Sequence, residues 1–193
     1  MNSNLKKPIV FALCATATVV LAGCAQTQTP SQQTTKEPAS SGASGATTSG
    51  PSCNPKVGNK APSLKIDSMS ASGSASIAPG KVTLVDFWAT WCKPCEKSFP
   101  RYQELYVKYK SQGFEVIAVS VDDEKNDIPG FIKKTGAKFP IGWDKGHAFA
   151  DCWKPGSMPS AYIVDKKGVV RHIHNVWTEA EAKEVEAQIK ALL

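Results

Sequence analysis

The sequence predicts an α/β domain with a central mixed sheet flanked by helices. Three observations carry this. Apolar runs of strand length, Val82-Thr83-Leu84-Val85-Asp86-Phe87-Trp88 and Phe114-Glu115-Val116-Ile117-Ala118-Val119-Ser120-Val121, alternate with segments of helical periodicity. A strand–turn–strand pattern around Lys166-Lys167-Gly168 adds an antiparallel hairpin. Two cysteines, Cys92 and Cys95, stand with two residues between them where the first apolar run gives way to a helix.

In chain order, 64–67 and 74–77 read as short entrance strands and 81–88 as the central strand. Residues 95–112 read as a helix, because Phe99, Tyr102, Leu105, Tyr106 and Tyr109 fall at helical spacing. Pro100 should kink it and Gly113 should stop it. Residues 114–121 are apolar enough for a strand covered on both faces. Residues 128–135 and 148–152 read as two further helices, and 161–165 with 169–174 as the hairpin. Thr178-x-x-Glu181 is a capping box that opens the last helix.

The N-terminus reads as a targeting signal. Lys6 and Lys7 precede a short apolar stretch, 9–22, and Leu21-Ala22-Gly23-Cys24 resembles a bacterial lipobox. That resemblance implies a signal peptide over 1–23, cleavage before Cys24, and a lipid on the new N-terminal cysteine. By the same resemblance to lipoproteins, the non-acidic Ala25 permits sorting to the outer membrane. Residues 24–52 are Ser, Thr, Gln, Gly, Ala and Pro with almost no apolar content, the composition of a flexible tether. Residues 53–193 suffice for one domain with one core.

The net charge is +6, and removal of 1–23, which holds two lysines and no acid, lowers it to +4. Basic and acidic residues are interleaved, so the excess carries no nucleic-acid meaning.

Trp91-Cys92-Lys93-Pro94-Cys95 carries the chemistry. A cysteine at a helix N-terminus faces free N–H groups that stabilise a thiolate, so Cys92 is the nucleophile. Cys95, one turn further in, resolves the mixed disulfide. Pro94 suits the first helical turn and Lys93 adds a positive charge beside the thiolate. The competing reading, half a zinc site, lacks a second cysteine pair or histidines at the right spacing; His172 and His174 are only two apart. Those histidines share one strand face, read as an exposed polar face and not as a metal site. The Asp122-Asp123-Glu124 run reads as an acidic turn leading a helix.

Asp86 is a lone acid inside an apolar strand, where it is either a hydrogen-bonded core carboxyl or a buried proton acceptor for Cys95. Of six cysteines, Cys14 leaves with the signal, Cys24 takes the lipid and Cys92 and Cys95 form the active pair. Cys53 and Cys152 remain, as a structural disulfide in an oxidising compartment, as two free thiols, or as a second redox centre.

The segment 85–95 resembles the active-site segment of the thioredoxin superfamily. The wider match, from Val57-Gly58-Asn59-Lys60-Ala61-Pro62 through Ser157-Met158-Pro159-Ser160 to the C-terminus, is to the membrane-tethered TlpA/ResA-type thiol-disulfide oxidoreductases. The resemblance implies a thioredoxin fold with an N-terminal strand extension and an insertion between Ser120 and Met158. It implies a cis peptide before Pro159, packed beside the cysteine pair, with Met158 walling the peptide groove. Trp91 and Trp88 are expected to shield the site from water. The expected partners are protein disulfides, a membrane thiol electron donor and the lipid membrane; no cofactor or nucleic acid, and a monomer. Where many relatives carry Glu three residues after the second cysteine, this chain has Ser98, which points to a general disulfide reductase more than to cytochrome c maturation.

The same dithiol could run in reverse as an envelope disulfide oxidase. A copper-handling chaperone is the other alternative, against which the two-residue spacing counts. No peroxidatic motif is present.

Overall fold

The computed structural model describes residues 52–193, all within one compact unit. The expected signal segment, Cys14, Cys24, Ala25 and the tether as far as residue 51 lie outside the described residues.

Lys65–Asp67 (β1) and Ser74–Ser76 (β2) form an antiparallel pair ahead of the main sheet. Val82–Trp88 (β3) is buried at every position. Lys93–Tyr109 (α1) follows, closed by a 3₁₀ turn at Lys110–Gln112. Gly113 ends that turn at φ 93°, left-handed backbone that costs glycine nothing. Phe114–Ser120 (β4), Ile128–Thr135 (α2), Ile141–Trp143 (β5) and Ala148–Trp153 (α3) come next. Ser160–Val164 (β6), Val170–His174 (β7) and Glu179–Leu192 (α4) complete the chain. The five-stranded sheet has the order β5-β4-β3-β6-β7. β3–β4 and β4–β5 pair parallel, β3–β6 and β6–β7 antiparallel, which makes the sheet mixed.

Strand alternation sends side chains to two cores. Leu84 and Trp88 of β3 pack with Phe99, Tyr102 and Leu105 of α1 and with Val185 and Ile189 of α4. Val85 and Phe87 face the other way, onto Leu64, Ile66, Trp153 and Tyr162. Each such side chain contributes about 1.5–3 kcal/mol when fully buried. Asp86 shares the first of these faces, toward Tyr102.

The segment ahead of β3 caps the start of both edge strands of the sheet. On the β7 side, Gly58 N–H donates to the Val170 carbonyl at 2.8 Å and Val170 N–H to the Asn59 carbonyl at 2.9 Å. On the β5 side, Met69 N–H donates to the Ile141 carbonyl at 2.7 Å and Ile141 N–H to Ser70 Oγ at 3.1 Å. Between the rims Ile66 lies so close to β5 that a Cβ on Gly142 would meet its Cδ1 at 2.6 Å.

Three sequence expectations change. The insertion holds a strand, β5, beside α2 and α3. The first helix begins at Lys93, two residues early, because Cys92 caps it. The 172/174 face is not exposed. His174 is buried under α4, with Nδ1 on Glu181 Oε1 and Nε2 2.7 Å from Gln188 Oε1. His172 lies half-buried, stacked 6.5 Å from His174. Burial, then the neighbouring His174, pulls its pKa below the ordinary histidine value.

Candidate active site

β3 delivers the chain to the site and a buried acid fixes the turn that follows. Thr90 N–H and Thr90 Oγ1 both donate to Asp122, the hydroxyl at 2.7 Å. Ser120 Oγ donates to the other Asp122 oxygen at 2.7 Å. Trp143 Nε1 donates to the Asp122 carbonyl at 2.7 Å. Asp122 therefore locks the residue two before Cys92 to the end of β4. In the sequence it shows only as part of an acidic turn.

Cys92 is the N-cap of α1, and its Sγ accepts from the Cys95 N–H at 3.2 Å. The pair is closed, with S–S 2.04 Å and Cα–Cα 5.3 Å. Cys92 is 3% exposed and Cys95 fully covered, so of the two only Cys92 reaches the surface. Pro94 occupies the first turn. Lys93 reaches Glu96 at 3.2 Å, and Glu96 also takes Lys134 at 2.8 Å. The hydrogen bonds from Lys134 and then Lys93 hold the Glu96 carboxyl below its usual range. Trp91 is 66% exposed and shields nothing; Trp88, fully buried between Phe99 and Phe131, does the covering.

The Met158–Pro159 peptide is cis. The antiparallel register of β6 on β3 sets Ser160 opposite Phe87, so Pro159 lies at the end of β3 from which the chain turns to Cys92. Met158 packs against the cluster that contains Cys92 and Cys95. Asn175 braces this loop, accepting from Ser160 Oγ at 2.6 Å and from Ser157 Oγ.

Asp86 has no solvent exposure. Tyr102 Oη lies 3.5 Å from its Oδ1, and Oδ2 meets no donor among the described residues. Burial pushes its pKa well above the ordinary carboxylate value, against the Tyr102 hydrogen bond, which lowers it. Tyr102 was legible only as an apolar helix position, since a core tyrosine and a core phenylalanine give one and the same periodic signal.

Away from this end, Cys53 and Cys152 are joined at S–S 2.09 Å with Cα–Cα 4.5 Å, closing a separation of 99 residues. Asn54 N–H donates to the Cys152 carbonyl at 2.5 Å. The next residue, Trp153, is fully buried against Phe87 and Tyr162, and Tyr162 Oη donates to its carbonyl at 3.1 Å. Among the described residues no group of three or more His, Cys, Asp or Glu is placed to hold a metal ion.

This arrangement has relatives. The thiol-disulfide oxidoreductase ResA of Bacillus thuringiensis (strain Al Hakam) is 36% identical over 113 residues, 58% of this chain and 64% of that protein. A ResA of Bacillus cereus is 42% identical over 91 residues, 47% of this chain and 53% of its own. The matches thus span from about half to just under two thirds of these relatives' lengths. Among solved structures, a protein provisionally named the thiol:disulfide interchange protein DsbE from Chlorobium tepidum superposes with TM-score 0.67 at 31% identity. It covers 72% of this chain and 98% of its own. The AhpC/TSA family model matches residues 57–173, which includes both cysteines of the pair and the cis proline; the chain belongs to the AhpC/TSA family.

Proposed function

We propose that the protein is a thiol-disulfide oxidoreductase that reduces protein disulfides in the bacterial cell envelope. One observation carries the reading: a Cys-x-x-Cys pair capping α1, with a cis proline at its side and a buried acid on the same face of β3. The ResA and DsbE names of the relatives support it. The Cys92 thiolate attacks a substrate disulfide and forms a mixed disulfide, releasing the first substrate thiolate. Cys95 passes its proton to Asp86 and attacks Cys92 Sγ, which closes the 92–95 bridge and frees the second substrate thiolate. Two electrons have moved to the substrate, and a membrane thiol donor restores the dithiol. Lys93 favours the Cys92 thiolate, Pro94 sets the first turn, and Met158 and Pro159 present the edge on which a substrate strand is held. Trp91, exposed beside Cys92, offers an apolar contact to the partner.

In the same reading, Cys24 carries a lipid, residues 24–52 tether a monomeric domain, and the Cys53–Cys152 bridge pins the start of that domain to α3. The non-acidic Ala25 permits sorting of the lipoprotein to the outer membrane. The reduction potential of the Cys92–Cys95 couple tests the direction of flow. A value near that of thioredoxin is expected. A value near that of the strong periplasmic oxidants would make the protein a disulfide-forming enzyme.

A further inference from the structure

The Asp86 carboxyl is sealed from water, with one phenolic contact and one oxygen that meets no donor among the described residues. A buried carboxylate is stabilised only by what donates to it. Without a donor its charged form is disfavoured, and it is a poorer acceptor for the proton of Cys95.

Tyr102 is placed as that donor. It lies on α1 seven residues after Cys95, two turns along the same buried face, and is 1% exposed. Trp177 packs edge-on against its ring at 5.0 Å and Phe99 lies at 6.5 Å, which holds the ring in place. Three polar groups bear on it: Asp86 from β3, Ser98 from one turn back on α1, and the charge of Glu181 from α4. Ser98 Oγ donates its hydroxyl proton to the Cys95 carbonyl at 3.2 Å. The phenol has a single proton, and the Asp86 Oδ1 at 3.5 Å is the acceptor it faces. The 3.5 Å contact belongs to the closed 92–95 bridge, and contacts of this kind shorten when charge develops.

We propose that Tyr102 is the positioning residue of the proton transfer. It donates its phenolic hydrogen bond to the Asp86 carboxylate, so that the acid is ready to receive the Cys95 proton. Tyr102 keeps its own proton throughout; one proton passes from Cys95 Sγ to Asp86, and the sulfur keeps the electron pair with which it attacks Cys92. The inference rests on the reading of Asp86 as proton acceptor.

The test compares the pH profile of insulin reduction for the full domain, Tyr102→Phe, Asp86→Asn and the double variant. Tyr102→Phe keeps the ring and loses the donor. Its rising limb should move to higher pH by about one unit, a tenfold rate loss on that limb, with the alkaline plateau unchanged. The shift should vanish in the Asp86→Asn background. A carboxyl-carbon NMR titration of the reduced protein should place the Asp86 midpoint higher in Tyr102→Phe, a readout that a packing defect alone would not produce. If Asp86→Asn changes the profile while Tyr102→Phe leaves both profile and midpoint in place, this inference falls and the role of Asp86 stands. If Asp86→Asn leaves the profile untouched, both fall together.

Discussion

The backbone N–H of Cys95 points at Cys92 Sγ across 3.2 Å, from the first turn of α1. When the bridge opens, this donor and the helix dipole favour the thiolate at Cys92. Cys92→Ser should abolish insulin reduction. Cys95→Ser should retain attack and accumulate mixed disulfides, visible as adducts on non-reducing gels. Full activity in the Cys92 variant would overturn the attack order.

Asp86→Asn removes the acceptor and keeps the volume, so turnover should fall near neutral pH, as a steady-state rate measurement will report. Its effect on stability has the opposite sign. Burial raises the folded-state pKa above the ordinary value of 3.8. Between those two values the folded protein holds a proton that the unfolded chain has lost, so stability falls as pH rises through that window. Each unit of difference costs about 1.4 kcal/mol. Asp86→Asn should therefore be the more stable protein at pH 7 in urea titrations and lose that advantage as pH falls to about 4.

Glu96 divides its charge between Lys93 and Lys134. Glu96→Gln leaves Lys93 unopposed beside Cys92 and should lower the midpoint of Cys92 alkylation by about a few tenths of a pH unit, since exposed pairs act weakly. The difference should fade in high salt. Identical midpoints at low ionic strength would show that Lys93 does not act on the thiolate.

The Cys53–Cys152 bridge closes a separation of 99 residues, for which the chain-entropy model gives roughly 4–5 kcal/mol. The Cys53→Ser, Cys152→Ser double variant should show a clear loss of urea midpoint, native strain permitting less than the full figure. Non-reducing peptide mapping should recover the linked pair from envelope protein. Free thiols at both positions, while 92–95 is oxidised, would refute the bridge.

Trp153 fills the space between Phe87 and Tyr162 with no exposure. Trp153→Ala should cost about 3–5 kcal/mol. A loss below about 1 kcal/mol in urea titration would mean that the end of α3 collapses into the hole.

The cysteine pair and the helix that follows it were legible as local patterns, whereas the cis proline was implied only by the family resemblance, since X–Pro bonds are cis in a minority of cases. What the sequence concealed depends on partners far along the chain. β5 is three residues long, too short for periodicity, and owes its identity to β4 beside it and Ile66 above Gly142. His174 alternates like a surface residue, yet α4 folds over it. Trp91 resembled a shield because aromatics usually bury, but the turn that Asp122 pins projects it outward. Tyr102 carries a hydroxyl whose purpose appears only when β3 sets a carboxyl 3.5 Å away.

The capped ends of the sheet's two rims bear on how copies of this protein coexist. A strand with unpaired N–H and C=O groups recruits strands from other chains, and this is a common route to aggregation. Here residues 58–60 pair at Val169 and Val170, the start of the β7 rim, and residues 68–70 at Ile141, the start of the β5 rim. One stretch of chain, held at its start by the Cys53–Cys152 bridge, guards both. Opening that bridge would loosen the guard on β7 first, so its loss should be felt as self-association at high protein density before it is felt in the chemistry at Cys92.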